Sequence, residues 1–395
     1  TQGVSSAASD VYKRQLLARP VTLTVGGTEY PIAPAAVASA LRVRPTGPRL
    51  ELEVDPVALR AAIGPALAAI ETAPKDADFA VNGSTVSVIP STTGRQVDLA
   101  AVGTAIARGR HRVTGRITEV APAHDTAWAE NLHITKLVSS YTTNHPCCQP
   151  RVTNIHTGAA ALNGTIVEPG QTFSLNQRLG PRTLDKGYVL APQIGADLSY
   201  EDSVGGGVSQ LSTTLFNAVF FGGYQDVTHT VHALYIDRYP MGREATLNYP
   251  SIDNRFRNDT PNGVLIRTAV SGTSVTVSLY GDNGGRTVTA EGPNVLETIP
   301  IEPKCFDPAT TPPKQAVSTA GHTGYVVENF RIIRYPDGTT KRQRFAERYQ
   351  MQPKRFPCPG GPTGATAPPP TTPGTPPTAP PATTPTVPTP PSSTP

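Results

Sequence analysis

The chain has 395 residues and a formal net charge of +4, too small a bias to imply a nucleic-acid partner. It holds 42 Pro, 35 Gly and only 4 Cys, and no apolar run reaches the ~18 residues a membrane-spanning helix needs. Between two compositionally biased ends lie roughly 340 residues, room for two or three domains of ~100–200 residues each.

Residues 1–15 (TQGVSSAASDVYKRQ) resemble translated sequencing-adapter sequence and are set apart from the fold. On that reading the true N-terminus is missing, and a signal peptide or membrane anchor could have been lost with it. Val21 to Ile32 alternates around Gly26-Gly27, which predicts a hairpin. Pro34 to Leu41 reads as a short helix with Pro in its first turn. After a strand from Leu50 to Val54, Asp55-Pro56 starts a helix to about Ile70, with Asp as cap and Pro at its first position. Asn82-Gly83 turns a hairpin over Phe79 to Val88. Asp98 to Ala107 reads as a helix and Arg112 to Val120 as one strand. Residues 16–121 thus make a small α+β domain without a cluster of acid, histidine and nucleophile.

An Ala-rich linker, 122–132, leads to a second domain over 133–284. It opens with a strand from His133 to Tyr141 and closes with a hairpin, Leu265 to Val270 and Ser274 to Tyr280, through Ser271-Gly272. Its centre is Val208 to Phe221, apolar at 208, 211, 215, 216, 219 and 220, led in by Gly205-Gly206-Gly207 and stopped by Gly222-Gly223. That pattern predicts one buried helix. Residues 285–358 read as a small all-β module, with strands Val317 to Gly324, Tyr325 to Tyr335 and Thr339 to Met351, the last two flanking Asp337-Gly338. Residues 359–395 are nearly all Pro, Thr, Gly, Ala and Ser. They read as a disordered, polyproline-like tail, either a wall-crossing spacer with sugars on its Thr/Ser or a plain disordered end. The fold class is therefore α+β and multidomain.

His322 to Phe356 holds eight Lys/Arg against three acids. This is either a basic sheet face for an anionic wall polymer or a solvated face. Cys305 and Cys358 bracket the β module. A disulfide there closes a loop of about 53 residues, worth roughly 4 kcal/mol on the chain-entropy estimate, and fits an oxidising compartment. Cys147 and Cys148 are adjacent, so a bond between them is strained. They have no CxxC spacing or neighbouring ligand set, so no metal and no cofactor is expected.

A helix N-terminus lined by Gly205, Gly206 and Gly207 is a natural anion or oxyanion site. Ser209 sits in the first turn and His232 lies downstream, in a segment, His229 to Tyr235, that reads as a strand. A nucleophile at a helix N-terminus with a histidine in reach is the arrangement of Ser-His and Cys-His enzymes, and Asp253 is the candidate to orient His232. The alternatives stay open. Ser209 caps the helix while the glycines serve packing; His232 is a hydrogen-bonded structural histidine; Asp253 pairs with Arg255 or caps a turn. Gln210 and Asn176 are candidate amide donors to a glycan or peptide stem, with Arg255 beside them.

Several phrases carry a family resemblance. Ser140-Tyr141-Thr142-Thr143, Arg151-Val152-Thr153-Asn154-Ile155, Ala161-Leu162-Asn163-Gly164, Val167 to Asn176 (VEPGQTFSLN), Leu179-Gly180-Pro181-Arg182-Thr183, Gly187-Tyr188, Gly205 to Leu215 (GGGVSQLSTTL), His232, Gly242-Arg243-Glu244-Ala245-Thr246 and Asp253 to Asn258 (DNRFRN) stand in the order of the VanW family. In many members the position of Ser209 is Cys, so Ser209 departs from the pattern. Asp55-Pro56 with Leu59, and Ile89-Pro90-Ser91 with Gly94 to Asp98, resemble the peptidoglycan-binding domain that often precedes VanW modules. The C-terminal strands are similar to G-five modules, a family linked to amino-sugar polymers. These resemblances imply an extracytoplasmic cell-envelope protein, secreted or anchored, that binds peptidoglycan, its precursors or another wall glycan, in wall biogenesis or glycopeptide (vancomycin) resistance. The other function class is a wall hydrolase or acyl-transferase using Ser209 and His232.

Overall fold

The structure is a computed structural model and describes residues 13–46, 49–195, 198, 200–311 and 318–359. Residues 1–12 of the adapter-like segment, Val317 and the tail from residue 360 lie outside the described residues. Two compact units separate. The first holds the described residues up to Ala80 together with Val88–Asn131; the second holds Val81–Ser87 and those from Leu132 onward. The fold is mixed α+β with several small sheets.

In the first unit, β1 (Val21–Val25) buries Val21, Leu23 and Val25, one face of an alternating strand. It pairs antiparallel with β2 (Thr28–Ile32). Helix α1 (Pro34–Ala40) leads into the pair β3 (Leu41–Thr46) and β4 (Arg49–Val54). In α2 (Pro56–Leu67) the Asp55 carboxylate accepts from the amides of Val57 (2.9 Å) and Ala58 (3.3 Å), two donors the helix leaves unpaired. The hairpin β5 (Asp78–Asn82) and β6 (Thr85–Ile89) turns at Asn82-Gly83. After β7 (Gly94–Val97), Asp98 caps α3 (Leu99–Ala107) through the Ala101 amide at 3.0 Å.

The single strand expected over Arg112 to Val120 is two. β8 (Arg112–Thr114) runs parallel to β1, and β9 (Ile117–Val120) pairs with β7. The chain changes sheets at Gly115, where a Cβ would lie 2.9 Å from Leu23 Cδ1 and 3.1 Å from Val25 Cγ2. The α4 helix (Thr126–Asn131) ends the unit.

The second unit is built on a six-stranded sheet. Its members are β10 (Lys136–Asn144), β11 (Thr165–Val167), β17 (Val264–Val270), β18 (Ser274–Gly281) and the Val81–Ser87 tip of the β5–β6 hairpin, in the order β11-β17-β18-β10-β6-β5. The strand begins at Lys136 rather than His133, whose φ of +50° is incompatible with a strand. Helix α5 (Pro150–Leu162) precedes β11; sequence periodicity had not marked it, because its mean composition is polar and small. Then follow β12 (Thr172–Ser174), α6 (Leu175–Leu179), the hairpin β13 (Leu190–Ile194) and β14 (Tyr200–Val204), and the central α7 (Ser209–Gly222). β15 (Gln225–Thr228) and β16 (Arg255–Arg257) join β12 in a three-stranded sheet. β15 stops at Thr228, so His229 to Tyr235 is irregular chain and not the strand expected there.

The C-terminal residues form β19 (Thr287–Ile299), β20 (Pro303–Phe306), β21 (Gly324–Arg334), β22 (Thr340–Tyr349) and β23 (Lys354–Pro357). β19, β21 and β22 make one sheet; β20 and β23 pair in parallel, with Cys305 bonded to Cys358 across them. Residues 318–323 of the expected strand before Gly324 make only isolated bridges, at Thr319 and His322. Phe216 and Phe220 of α7 pack against Phe345 of β22, so α7 lies between this sheet and the six-stranded one.

Three residues of the basic stretch are held in ion pairs. Arg342, Arg344 and Arg348 pair with Glu291, Glu328 and Glu297 at 3.0, 2.7 and 3.5 Å. Arg331 is buried beneath the sheet, donating to Gln343 Oε1 and to the carbonyls of Phe220 and Tyr224.

Candidate functional site

Helix α7 carries the residues of greatest interest, and its polar side chains decide their roles. Gln210, Ser212, Thr213, Thr214 and Asn217 are all 0% exposed. A buried polar group without a partner costs ~1–3 kcal/mol, so each needs an explanation. Ser209, Thr213 and Asn217 form one stripe. The Leu247 amide donates to Ser209 Oγ at 3.1 Å. Thr213 Oγ1 accepts from the Ala245 amide at 3.2 Å and donates to its carbonyl at 3.3 Å. Asn217 Nδ2 donates to the Arg243 carbonyl at 2.8 Å.

Geometry dictates this match. Four residues of helix rise ~6 Å, and two residues of extended chain span ~6.6 Å. A helix stripe at i, i+4, i+8 therefore stays in register with alternate residues of Arg243 to Leu247. A second stripe faces β10: Gln210 Nε2 donates to Thr143 Oγ1 and the Asn144 carbonyl, Thr214 Oγ1 bonds Thr143 Oγ1, and Ser139 Oγ donates to the Ala218 carbonyl. Asn254 Nδ2 fastens Ser212 from a third direction.

The glycine lead-in is packed as tightly. Gly205 and Gly207 both have φ of +89°. A Cβ on Gly206 would lie 2.1 Å from the Ala191 carbonyl oxygen; on Gly205 or Gly207 it would lie 2.7 Å from Arg182 Cβ or Arg151 Cβ. The amides of Gly205, Gly206, Val208 and Gln210 donate to the carbonyls of Val189, Ser203, Gly205 and Gly207. These four donors are thus turned onto the chain. Val208, not Ser209, occupies the N-cap position, and no side chain caps it. Asn154 clamps the loop, donating to the carbonyls of Val189 and Gly206 and accepting from the Val189 amide.

The three candidate catalytic residues share no hydrogen bond in the structure. Ser209 Oγ has Leu247 and, at 3.3 Å, Thr246 Oγ1. His232 Nδ1 bonds Glu244 Oε2 at 2.5 Å and its ring stacks on Tyr239. Asp253 accepts from Ser174 Oγ (2.6 Å) and from the amides of Asn176 and Asn254, so it orients no histidine and makes no pair with Arg255. Its place beside His232 belongs to Glu244, which is fully buried. Tyr349, also fully buried, accepts from the Gly242 amide, and burial first, then the Glu244 charge, pushes its hydroxyl far above its ordinary range.

Among the candidate ligand residues, Gln210 spends its amide on Thr143 and Asn144 and its oxygen on Arg151. Asn176 donates to the carbonyls of Asn248 and Ile252 and accepts from Arg182 at 2.7 Å. Arg255 is exposed on β16. Arg182 also sits over the exposed Tyr249 ring, 5.8 Å from its centroid. Sequence reading missed Glu244, Asn154, Arg182 and the 213/217 stripe. The i, i+4 spacing of polar residues inside an apolar helix was the signal that could have found the stripe. Among the described residues no group of three or more His, Cys, Asp and Glu could hold a metal ion, and no helix is long and apolar enough to cross a membrane.

Against known proteins, residues 150–280 match the family described as "VanW like protein", and residues 32–110 match the one described as "Putative peptidoglycan binding domain". The chain therefore carries a VanW-like domain behind a domain of the peptidoglycan-binding type. It is also similar to "Uncharacterized protein YoaR" of Bacillus subtilis (strain 168), 39% identical over 150 residues, or 38% of this chain and 49% of that protein, so the chain spans about half the length of the curated relative it matches. No solved structure matches. These two domains associate the protein with the cell wall.

Proposed function

We propose that the protein works outside the cytoplasm as an envelope component that binds peptidoglycan or its precursors without catalysing a reaction, in an accessory role in wall biogenesis or glycopeptide resistance. One observation carries the non-catalytic reading: Ser209 Oγ is a fastener for the Leu247 amide, and no imidazole is hydrogen-bonded to it. A serine hydroxyl is a weak nucleophile without a base in hydrogen-bond reach. The peptidoglycan-binding-type domain supplies the ligand class, and the Cys305–Cys358 bond supports an oxidising compartment. Co-sedimentation of the protein with purified sacculi tests this. Retention in the pellet is expected; full recovery in the supernatant would sink the binding proposal.

A second reading, a wall hydrolase or acyl-transferase using Ser209 and His232, draws on the His232–Glu244 pair, which resembles the base and orienting acid of a triad. It demands that a serine-reactive probe label Ser209 and that Ser209→Ala abolish turnover of muropeptides.

A further inference from the structure

The pair Cys147-Cys148 takes no part in the interactions above. Both thiols are exposed, and their sulfurs lie 2.7 Å apart, Cys148 donating to Cys147. Cys148 has φ of +67°, in the left-handed region that costs a non-glycine residue ~1–2 kcal/mol. The turn that holds it there is pinned on both sides by one side chain. Gln210 Nε2 donates to the Asn144 carbonyl before the cysteines, and Arg151 donates to Gln210 Oε1 after them. The His145 amide adds a bond to the Thr273 carbonyl. The backbone on either side of the two cysteines is thus held by the fold.

We propose that Cys147 and Cys148 form a reversible redox site that closes to a disulfide between adjacent residues by exchange with an external disulfide. Cys147, the accepting sulfur, attacks one sulfur of the partner disulfide R–S–S–R. The Cys147–SR bond forms, the S–S bond of the partner breaks, and one RS⁻ leaves and takes up the proton Cys147 gave up. Cys148 then attacks the Cys147 sulfur; the second RS⁻ leaves and takes up the Cys148 proton. Two thiols of the chain are oxidised and one external disulfide is reduced to two thiols. Cα atoms joined by one trans peptide are ~3.8 Å apart, against ~4.4–6.8 Å for an ordinary disulfide, so the small ring is strained and easily reduced again. Strained, exposed disulfides are the exchangeable kind. The Cys305–Cys358 bond joins a residue of β20 to the residue that follows its partner strand β23 and serves as an internal reference.

Tryptic mapping of the full protein reads this directly, because one peptide, Leu137–Arg151, contains both thiols. The reduced protein is equilibrated with glutathione disulfide, denatured and alkylated. The peptide should be two hydrogens lighter and carry no alkyl group. Under rising reductant its thiols should reappear before those of Cys305 and Cys358. In Cys148→Ser the second step is blocked, and a mixed disulfide of Cys147 with glutathione should accumulate. Alkylation of both thiols after oxidation, or recovery of the wild-type peptide only as a glutathione adduct or a cross-link between two chains, would overturn the proposal.

Discussion

At the scale of single residues, the motifs that carry the family resemblance are mostly fasteners. Asn176, Asn254 and Asn258 each use their side-chain amides to tie neighbouring segments to one another. Asn258 alone donates to the carbonyls of Val167, Glu168 and Asn262 and accepts from Thr260. These identities were legible in the sequence as a pattern, but their roles were not. An asparagine that staples a loop and one that binds a glycan look alike until the partners are known. Gly206 gives the sharpest test of the packing account. Its absent Cβ would meet a backbone carbonyl at 2.1 Å, and a carbonyl cannot rotate away as a side-chain end would. Gly206→Ala should lower unfolding free energy by ~2 kcal/mol or more in urea titrations; an unchanged midpoint would contradict the assigned geometry.

At the scale of elements, α7 explains where sequence reading succeeded and where it stopped. The apolar positions and the glycine stop fixed its extent to within a residue, since Leu211, Leu215 and Val219 are buried and Gly223 ends the helix in a left-handed conformation. The sequence predicts a buried helix but not what covers its second face, because that sheet, β19, β21 and β22, lies beyond residue 286 of the chain. His229 sits at that contact, its ring 4.2 Å from Phe216 and beside Phe345. Burial alone would depress its pKa, but Asp226 at 2.8 Å and Glu347 at 3.6 Å outweigh burial and raise it from 6.5 to about 9. A raised pKa stabilises the fold fully below pH 6.5, and the contribution is lost as pH rises through about 9. Its size is on the order of 3 kcal/mol. Unfolding of wild type should therefore weaken between pH 6.5 and 9.5 by more than that of His229→Gln. Parallel pH profiles would show that the imidazole does not carry the charge.

At the scale of the whole molecule, the two units differ in how they were read. The first follows from local signals: Asp55 and Asp98 caps and a Pro at the helix start, all within a few residues of what they control. The second depends on pairings distant in sequence, such as β10 with β18 and α7 with β22, which no local pattern announces. The basic stretch shows the same limit, because the glutamates that neutralise Arg342 and Arg348 lie on β19, 51 residues away. The β20–β23 pair, with Pro303, Lys304, Cys305 and Lys354 all exposed, buries little apolar surface of its own. The Cys305–Cys358 bond, closing a span of 53 residues, should be its main tether. The double variant Cys305→Ser/Cys358→Ser should lose ~2–4 kcal/mol of stability by thermal unfolding. A loss within error of zero would mean the tether adds nothing.

Ser209 fastens the helix to the Arg243–Leu247 segment, and the proposed function is that the protein binds wall material without cutting it. Incubation of purified sacculi with wild type and Ser209→Ala, side by side, tests it most directly when soluble muropeptides and pelleted protein are both quantified. Both proteins should pellet equally and neither should release muropeptides, with the variant only ~1 kcal/mol less stable. Release of muropeptides by wild type that disappears in Ser209→Ala would contradict it.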